Sequence, residues 1–349
     1  MQYEGIAVKQ ISLARIRHYS SQRAWQMAFV IPITTAIFGY LGIRAWQGIR
    51  LLTSTSFSVS PAYIGLAISC QVIGVLCAVW MWGTILQKFG VQSSYQFNLR
   101  AFGVSAVARK LPGTIWYAVS RLLLYQRAGH LRRPVVLALT AELITLSMAG
   151  LLALALGFLS GLQDIQGIPL WLQHPIPIGI GLLILLGLLA LALPQVLKRF
   201  MQRSQVEQPV SPGHSISFVA VMLWLLGELM VVGLATGVLY FSMKALVPNT
   251  TIPFTTLAAA FGASVALGPL LVWMPADMGL RDGVMYLILA PVLTGAVAAV
   301  VVLAWRLMVT ALDILFGLVC VASFGHADFH RLSVARRGDL EGKAPIIND

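Results

Sequence analysis

Apolar runs of about 20 residues recur along nearly the whole chain. An α-helix rises 1.5 Å per residue, so each run is long enough to cross a hydrocarbon core of roughly 30 Å. Only 10% of the residues are charged, against about 25% in soluble domains. The sequence therefore predicts an all-α integral membrane protein with about eight transmembrane helices. The predicted spans are 24–43, 62–86, 134–160, 176–197, 217–241, 255–273, 284–304 and 306–324.

The predicted membrane domain covers residues 24–324 and is flanked by two basic segments. Residues 1–23 alternate apolar and basic side chains, which is typical of an amphipathic helix on an anionic membrane surface; a disordered basic tail is the alternative. The first apolar run is too long for the core of a signal peptide, so we expect it to remain as an anchor. Residues 325–349 are predicted to form a cytoplasmic tail.

The distribution of Lys and Arg predicts how the chain is oriented. Basic residues concentrate in 88–133, in 197–208 and in the tail 325–349, whereas the loop 160–177 has none and 244–253 has one. Because cytoplasmic loops carry the excess of Lys and Arg, we expect a multi-pass protein of the cell inner (plasma) membrane with both termini cytoplasmic. The net charge of +12 is thereby assigned to membrane topology and anionic headgroups rather than to nucleic acid.

The first unusual segment is "RAFGVSAVARKLPGTIWYAVSRLLLYQRAG", residues 100–129. Pro112 suits the first position of a helix and Gly129 suits its end. The amide groups at such a helix start, together with Arg109, Lys110 and Thr114, would form an anion site. Arg121 should face a cavity, a carboxylate or the headgroup layer, because a charge facing lipid is costly. The alternative is an amphipathic surface helix whose arginines reach the headgroups.

The second unusual segment is "GPLLVWMPADMGLRDGVMYLILAPV", residues 268–292. Pro275 ends one apolar run, Asp277 is suited to cap the next helix, and Arg281 and Asp282 fall in its first turn. A plain turn between helices is the alternative. Because the two interrupted segments lie about 160 residues apart, they suggest an inverted repeat with a binding site between its halves.

Four ionisable residues fall within apolar runs. Glu142 is expected to open a helix, Glu228 lies near the centre of one, and Arg306 and Asp313 share a face of the last predicted helix. Such groups should be paired, protonated or solvated by a polar cavity. Glu228 is either a proton-coupling carboxylate or a neutral carboxyl in a structural hydrogen bond. Asp277, Asp282, Arg306 and Asp313 join Glu142 and Glu228 as candidates for charge balance or proton coupling.

Motifs for catalysis are missing from the sequence. The six histidines show no metal-ligand spacing, and no Walker motif, nucleotide-binding glycine loop or nucleophile elbow occurs. Cys70, Cys77 and Cys320 lie in apolar segments and are interpreted as core thiols. We therefore expect no cofactor, no metal and no enzymatic activity.

The ordered motifs resemble the membrane part of lysylphosphatidylglycerol synthases, a family of flippase-like integral membrane proteins. The family pattern is Leu-Pro-Gly, a tryptophan, an arginine, a glutamate on the following helix, a Pro-Gly-Gly-x-Gly-x-Arg-Glu turn, and an arginine opening the last helix. The matching residues are Leu111, Pro112, Gly113, Trp116, Arg121, Glu142, Pro275, Gly279, Arg281, Asp282 and Arg306. Ala276 and Asp277 stand where the family has glycines, and Asp282 where glutamate is commoner.

The resemblance implies a lipid translocator that handles an anionic phospholipid or a polyprenyl-phosphate-linked lipid. Its lipid-phosphate-binding residues would be Arg109, Lys110, Pro112, Gly113, Thr114, Trp116, Arg121 and Arg281. Because the chain ends at Asp349, without the family's soluble aminoacyl-transferring domain, lysine transfer is not expected. The alternatives are a non-transporting membrane partner that presents lipid to a separate glycosyl- or aminoacyltransferase, and an integral enzyme acting on a lipid phosphate.

Overall fold

The computed structural model describes residues 32, 34–50, 59–110, 115–160, 175–203, 216–267 and 277–323. The described part is almost entirely helical and contains no strand. The predicted segments 1–23 and 325–349 lie outside it. The helices are α1 (34–50), α2 (Pro61–Lys88), α3 (Tyr95–Ala108), α4 (Ile115–Arg127), α5 (Arg132–Leu159), α6 (Pro175–Arg203), α7 (Phe218–Leu246), α8 (Phe254–Ala266), α9 (Asp277–Leu293) and α10 (Gly295–Ala322).

Five of these helices, α2, α5, α6, α7 and α10, are long and apolar enough to cross a membrane. Their candidate spans contain 25 to 29 residues, which corresponds to roughly 40 Å and exceeds the hydrocarbon thickness. Many large apolar side chains of α6 and α7 face outward, including Leu188, Leu191 and Leu226, as expected for helices solvated by lipid. A membrane protein is thus supported, whereas the predicted eight spans are not confirmed.

The predicted boundary between the final two spans, 284–304 and 306–324, is wrong. The chain forms one continuous helix over Gly295–Ala322, and the break lies earlier, at Thr294, whose φ is 70°. Arg306 is therefore in the interior of α10 and does not open a helix. Glu142, likewise, lies inside α5 and not at its start. In both cases the apolar helix continues through a charged residue because, as described below, that charge is paired.

The helices α3, α4, α8 and α9 are short, with 13 to 17 residues. A 13-residue helix is about 20 Å long and cannot span the hydrocarbon core. Helices α3 and α4 form an antiparallel pair, in which Arg121 lies beside Ser105 and Tyr125 beside Phe97. Helix α4 ends at Arg127, and Gly129 supplies the predicted stop two residues later. Gly129 has φ +84°, and the amides of Gly129 and His130 bond back to Gln126 and Tyr125.

Glycines bring helices from the first and second halves of the chain into close contact. A Cβ on Gly150 of α5 would lie 2.6 Å from the carbonyl oxygen of Gly262 of α8. A Cβ on Gly317 of α10 would lie 2.9 Å from the carbonyl oxygen of Gly103 of α3. Helices α2 and α7 also pack together, and Gly237 lies against Cys70. Small residues permit such contacts between membrane helices.

Candidate functional site

A cavity of about 210 Å³ lies among α2, α3, α5, α7, α8, α9 and α10. Its lining includes the charged side chains Arg109, Lys110, Arg281, Arg306 and Asp313. The rest of the lining is largely apolar and includes Val75, Leu146, Val232, Phe261 and Val265. The cavity therefore combines several cationic groups with hydrocarbon side chains.

Lys110 and Asp313 form an ion pair in the cavity wall. Lys110 Nζ lies 2.8 Å from Asp313 Oδ2, and Gln71 Nε2 donates to Asp313 Oδ1 at 3.1 Å. Lys110 belongs to the turn that follows α3, where the amides of Arg109 and Lys110 bond back to Ser105 and Val107. That turn places Lys110 beside α10, against which α3 packs, and Arg109 over the ring of Tyr117 in α4. The bilayer cost of each charge is thus reduced by a partner from the other half of the chain.

Arg109 is a cavity residue with donors available to an anion. Its guanidinium carbon lies 4.2 Å from the centre of the Tyr117 ring, and it has no carboxylate partner among the described residues. A guanidinium presents five N–H donors in a fixed fork, and a stacked ring occupies only one face of that plane. The edge of Arg109 therefore has donors for a phosphate or carboxylate.

Arg306 is paired with Asp282 on the neighbouring helix α9. Arg306 Nη1 lies 3.7 Å from Asp282 Oδ2, and the Asp282 side chain is fully buried. Arg281, the residue before Asp282, lines the cavity. Adjacent residues of α9 therefore present one basic side chain to the cavity and one acid to Arg306.

Arg121 lies outside the cavity, in a buried cluster beneath it. Its side chain is 0% exposed, and its Nη1 donates to both Glu142 oxygens at 2.9 and 2.7 Å. The guanidinium carbon of Arg121 lies 4.4 to 4.6 Å from the centres of three rings, those of Tyr117, Trp82 and Phe102. The sequence requires a partner for this charge, and the structure supplies a carboxylate together with an aromatic box.

Tyr117 joins the cavity to this buried cluster. Its ring lies between two guanidinium groups, Arg109 at 4.2 Å and Arg121 at 4.4 Å. Its hydroxyl donates to the two Glu142 oxygens, both at 3.3 Å. A change in the position of Arg109 would therefore be felt at the Arg121–Glu142 pair through direct contacts.

Glu228 projects from α7 and is only 4% exposed. Among the described residues it has neither a hydrogen bond nor an ion pair. The structural hydrogen bond that was the alternative interpretation is thus missing from the described part of the chain. The charges close enough to act on Glu228 are those of Glu142 and Arg121.

The structure gathers the predicted residues into two neighbouring groups. Arg109, Lys110, Arg281, Arg306 and Asp313 meet at the cavity, and Asp282 is paired with Arg306. Arg121, Glu142 and Glu228 form the buried cluster. Trp116 is 37% exposed and outside both groups. Pro112, Gly113 and Thr114 lie outside the described residues, as does the side chain of Asp277.

Phe102 and Phe261 are cavity residues that no sequence pattern above singles out. Each is the middle residue of the same tripeptide in its own short helix: Ala101-Phe102-Gly103 in α3 and Ala260-Phe261-Gly262 in α8. A serine stands two residues after the glycine in both helices. A search for internal repeats at a spacing of about 160 residues would have found them. Gln71 and Tyr117 carry no such signal, because their roles depend on partners in distant helices.

No protein-family model matches the chain, and it has no match among curated proteins. No group of His, Cys, Asp and Glu within the described residues has an arrangement that could hold a metal ion. The function is therefore inferred from the site itself.

Proposed function

We propose that this protein binds a lipid with an anionic phosphate headgroup in the central cavity and moves it across the bilayer. The lipid is an anionic phospholipid or a polyprenyl-phosphate-linked lipid, as the resemblance to the flippase-like membrane part of lysylphosphatidylglycerol synthases suggests. The single observation that carries the proposal is the convergence of Arg109, Lys110, Arg281 and Arg306 on one cavity at whose other walls apolar side chains predominate.

The lining of the cavity suits an amphiphilic anion. Hydrogen bonds between a guanidinium or ammonium group and a phosphate are stronger than those between neutral groups, particularly away from water. Apolar side chains such as Val75, Leu146 and Phe261 would contact the first carbons of the lipid. A water-soluble anion would leave these apolar walls without a partner. A cavity of about 210 Å³ holds a headgroup and leaves the hydrocarbon chains in the bilayer.

An inverted repeat would place this cavity on an axis between two related halves. Helices α2 to α5 and α7 to α10 each run in the order long, short, short, long. The short helix α3 packs on α10 and the short helix α8 packs on α5, so each half clasps the other. The repeated Ala-Phe-Gly tripeptides supply one cavity phenylalanine from each half. Transporters with such repeats bind substrate at the interface of the halves.

The same arrangement accounts for the distribution of basic residues with fewer crossings than the sequence suggests. If α3–α4 enters and leaves from one face and α8–α9 from the other, then 88–133, 197–208 and the C-terminal tail all fall on one side. That side is the cytoplasm by the positive-inside rule. A crossing by α1 returns the N-terminus to the same side, so both termini are cytoplasmic in this proposal.

In this mechanism the phosphate first meets the donors on Arg109, because that side chain has no carboxylate partner within the described part of the chain. The lipid anion then competes with Asp313 for Lys110 and with Asp282 for Arg306, so binding loosens contacts between the two halves. Arg121 has a different role from the one expected for it: it holds α4 against α5 and acts on the cavity through Tyr117. Exchange of ion pairs at the interface gives lipid binding a way to change the packing of the halves.

The proposal is tested by reconstituting the protein in vesicles and following fluorescent anionic lipids between leaflets. We expect Arg109→Ala to slow the movement about tenfold or more, because a hydrogen bond to a charged group contributes about 1.5–3 kcal/mol. Arg127→Ala is the matched control, since Arg127 is an exposed arginine at the end of the same short-helix pair.

Two results would count against translocation in different ways. Equal rates for the wild-type protein, Arg109→Ala and Arg127→Ala would reject the role of the cavity. A wild-type protein that retains the lipid but does not move it would favour the alternative function, in which the chain presents lipid to a separate transferase.

A further inference from the structure

The buried cluster beneath the cavity contains two carboxylates and one cation. Glu142 is 8% exposed and Glu228 is 4% exposed, while Arg121 is fully buried. With both acids ionised, the cluster would carry a net negative charge in a region that water does not solvate. A buried charge without a partner costs several kcal/mol, so one bound proton makes the cluster neutral.

The hydrogen bonding of Arg121 is incomplete. Its Nη2 is buried and has no acceptor among the described residues, and a buried unsatisfied donor is costly. Glu228 makes no hydrogen bond with another described residue, so its carboxyl group keeps its capacity to accept one from Arg121.

Within the described part of the chain, the charged groups that act on Glu228 are Glu142 and Arg121, and Arg109 lies on the other face of the Tyr117 ring. Helix α2 packs on α7 with Met81 against Gly227 and Cys70 against Gly237, and α8 has no ionisable side chain apart from its hydroxyls. Lys198 and Arg199 of α6 are exposed, and Arg306 and Asp313 of α10 line the cavity. Among the described residues, Tyr117 is the tyrosine whose hydroxyl donates to Glu142.

We propose that Glu142 and Glu228 together hold a single proton, and that Arg121 changes from binding Glu142 alone to bridging both carboxylates when this proton leaves. In the protonated state, Glu228 is the neutral acid and Arg121 neutralises Glu142, to which it donates at 2.9 and 2.7 Å. In the deprotonated state, Nη2 of Arg121 donates to Glu228.

The position of the cluster gives this proton a direct connection to the anion site. Glu142 lies one helical turn from Leu146, and Glu228 lies one turn from Val232; both of these apolar residues line the cavity. Phe102, also in the lining, stacks on Arg121 at 4.6 Å. Movement of Arg121 toward Glu228 would shift Tyr117 and hence Arg109. The use of the proton in transport rests on the proposed function, whereas the existence of the proton site does not.

The experiment is an infrared measurement on the purified full chain without added lipid, at neutral pH, comparing the carboxylic-acid C=O band of the wild-type protein with those of single variants. We expect the wild-type protein to show one carboxylic-acid band from the cluster. This band should be lost in Glu228→Gln and also in Glu142→Gln. In Glu142→Gln one acid remains for one arginine, so Glu228 should ionise and take over Arg121. The double variant Arg121→Gln/Glu142→Gln removes the cation, and in it the Glu228 band should return.

Each other outcome overturns the proposal. A band that persists in Glu142→Gln would mean that Glu228 is neutral independently of Glu142, and a band that persists in Glu228→Gln would place the proton elsewhere. Absence of a band from the wild-type protein would show that no proton is held. Because Glu228 should replace the missing partner, Glu142→Gln should also stay folded in size-exclusion chromatography; unfolding of this variant alone would contradict the exchange. Lipid transport enters none of these readouts, so a failed transport assay leaves them unaffected.

Discussion

At the scale of single residues, buried polar groups fix where the short helices lie. The Tyr125 side chain is fully buried; its hydroxyl accepts from Trp82 Nε1 at 2.8 Å and donates to Asn98 Oδ1. Ser93 donates to the same Asn98 oxygen at 2.7 Å. This network ties α4 to α2 and α3, and thereby holds Arg121 in its box beside Trp82.

We expect Tyr125→Phe to destabilise the protein by about 1–3 kcal/mol, because the indole N–H and the Asn98 amide oxygen lose a buried partner. Thermal unfolding in a mild detergent measures the effect. Tyr95→Phe is the control: its hydroxyl also makes a hydrogen bond, to the Leu76 carbonyl, but the side chain is exposed, so the change should be within about 0.5 kcal/mol. Equal losses in the two variants would contradict a structural role for the Tyr125 network.

The partners of charged residues could be predicted from the sequence in kind but not in identity. The cost of a charge in the bilayer requires that Arg121 have a carboxylate, a cavity or headgroups nearby, and the structure shows a carboxylate. That this carboxylate is Glu142, and that Lys110 pairs with Asp313 about 200 residues away, depends on how α3, α4, α5 and α10 pack. No local pattern records such packing.

At the scale of helices, close contacts between glycines define the core of the structure. Helices α5 and α8 approach so closely at Gly150 and Gly262 that a Cβ on either would come within 2.6 Å of the other's carbonyl oxygen. Interfaces of this kind rely on van der Waals packing, because lipid supplies no hydrophobic driving force between helices.

Gly150→Ala should therefore separate α5 from α8 and destabilise the protein by about 1–3 kcal/mol, the usual cost of overpacking. The matched control is Gly187→Ala in α6, where an added Cβ meets nothing within 4 Å and helix propensity favours alanine by up to about 1 kcal/mol. Unfolding temperatures of the two variants give the comparison. A Gly150→Ala variant as stable as Gly187→Ala would show that the two helices have room to separate without loss.

Helix boundaries were predictable where a residue imposes a backbone conformation, and not elsewhere. Gly129 ends α4 because its positive φ permits the turn. The break before α10 occurs at Thr294, also at positive φ, and nothing in the identity of a threonine announces it. The last predicted span begins at Arg306, where the family pattern has an arginine opening the last helix, but the pairing of Arg306 with Asp282 allows the helix to continue through it.

At the scale of the whole molecule, the membrane class follows from hydropathy, whereas the number of crossings does not. Helices α3, α4 and α8 are each too short to span, yet α8 lies in an apolar run that reads as a span in the sequence. Helix α3 ends at Ala108 and α8 at Ala266, well short of the length that a crossing needs. The cavity arises because these short helices do not fill the space between the long ones.

The central claim is that the cavity binds a lipid phosphate through Arg109, and lipid identification by mass spectrometry on protein purified in mild detergent tests it most directly. The wild-type protein and Arg127→Gln should each carry one class of phosphate-bearing lipid, and Arg109→Gln should lose most of it. Arg109 has no carboxylate partner among the described residues, so its replacement should not unfold the protein; monodispersity confirms this. Equal retention of the lipid by Arg109→Gln and Arg127→Gln, or a wild-type protein that carries no phosphate lipid, would contradict the account.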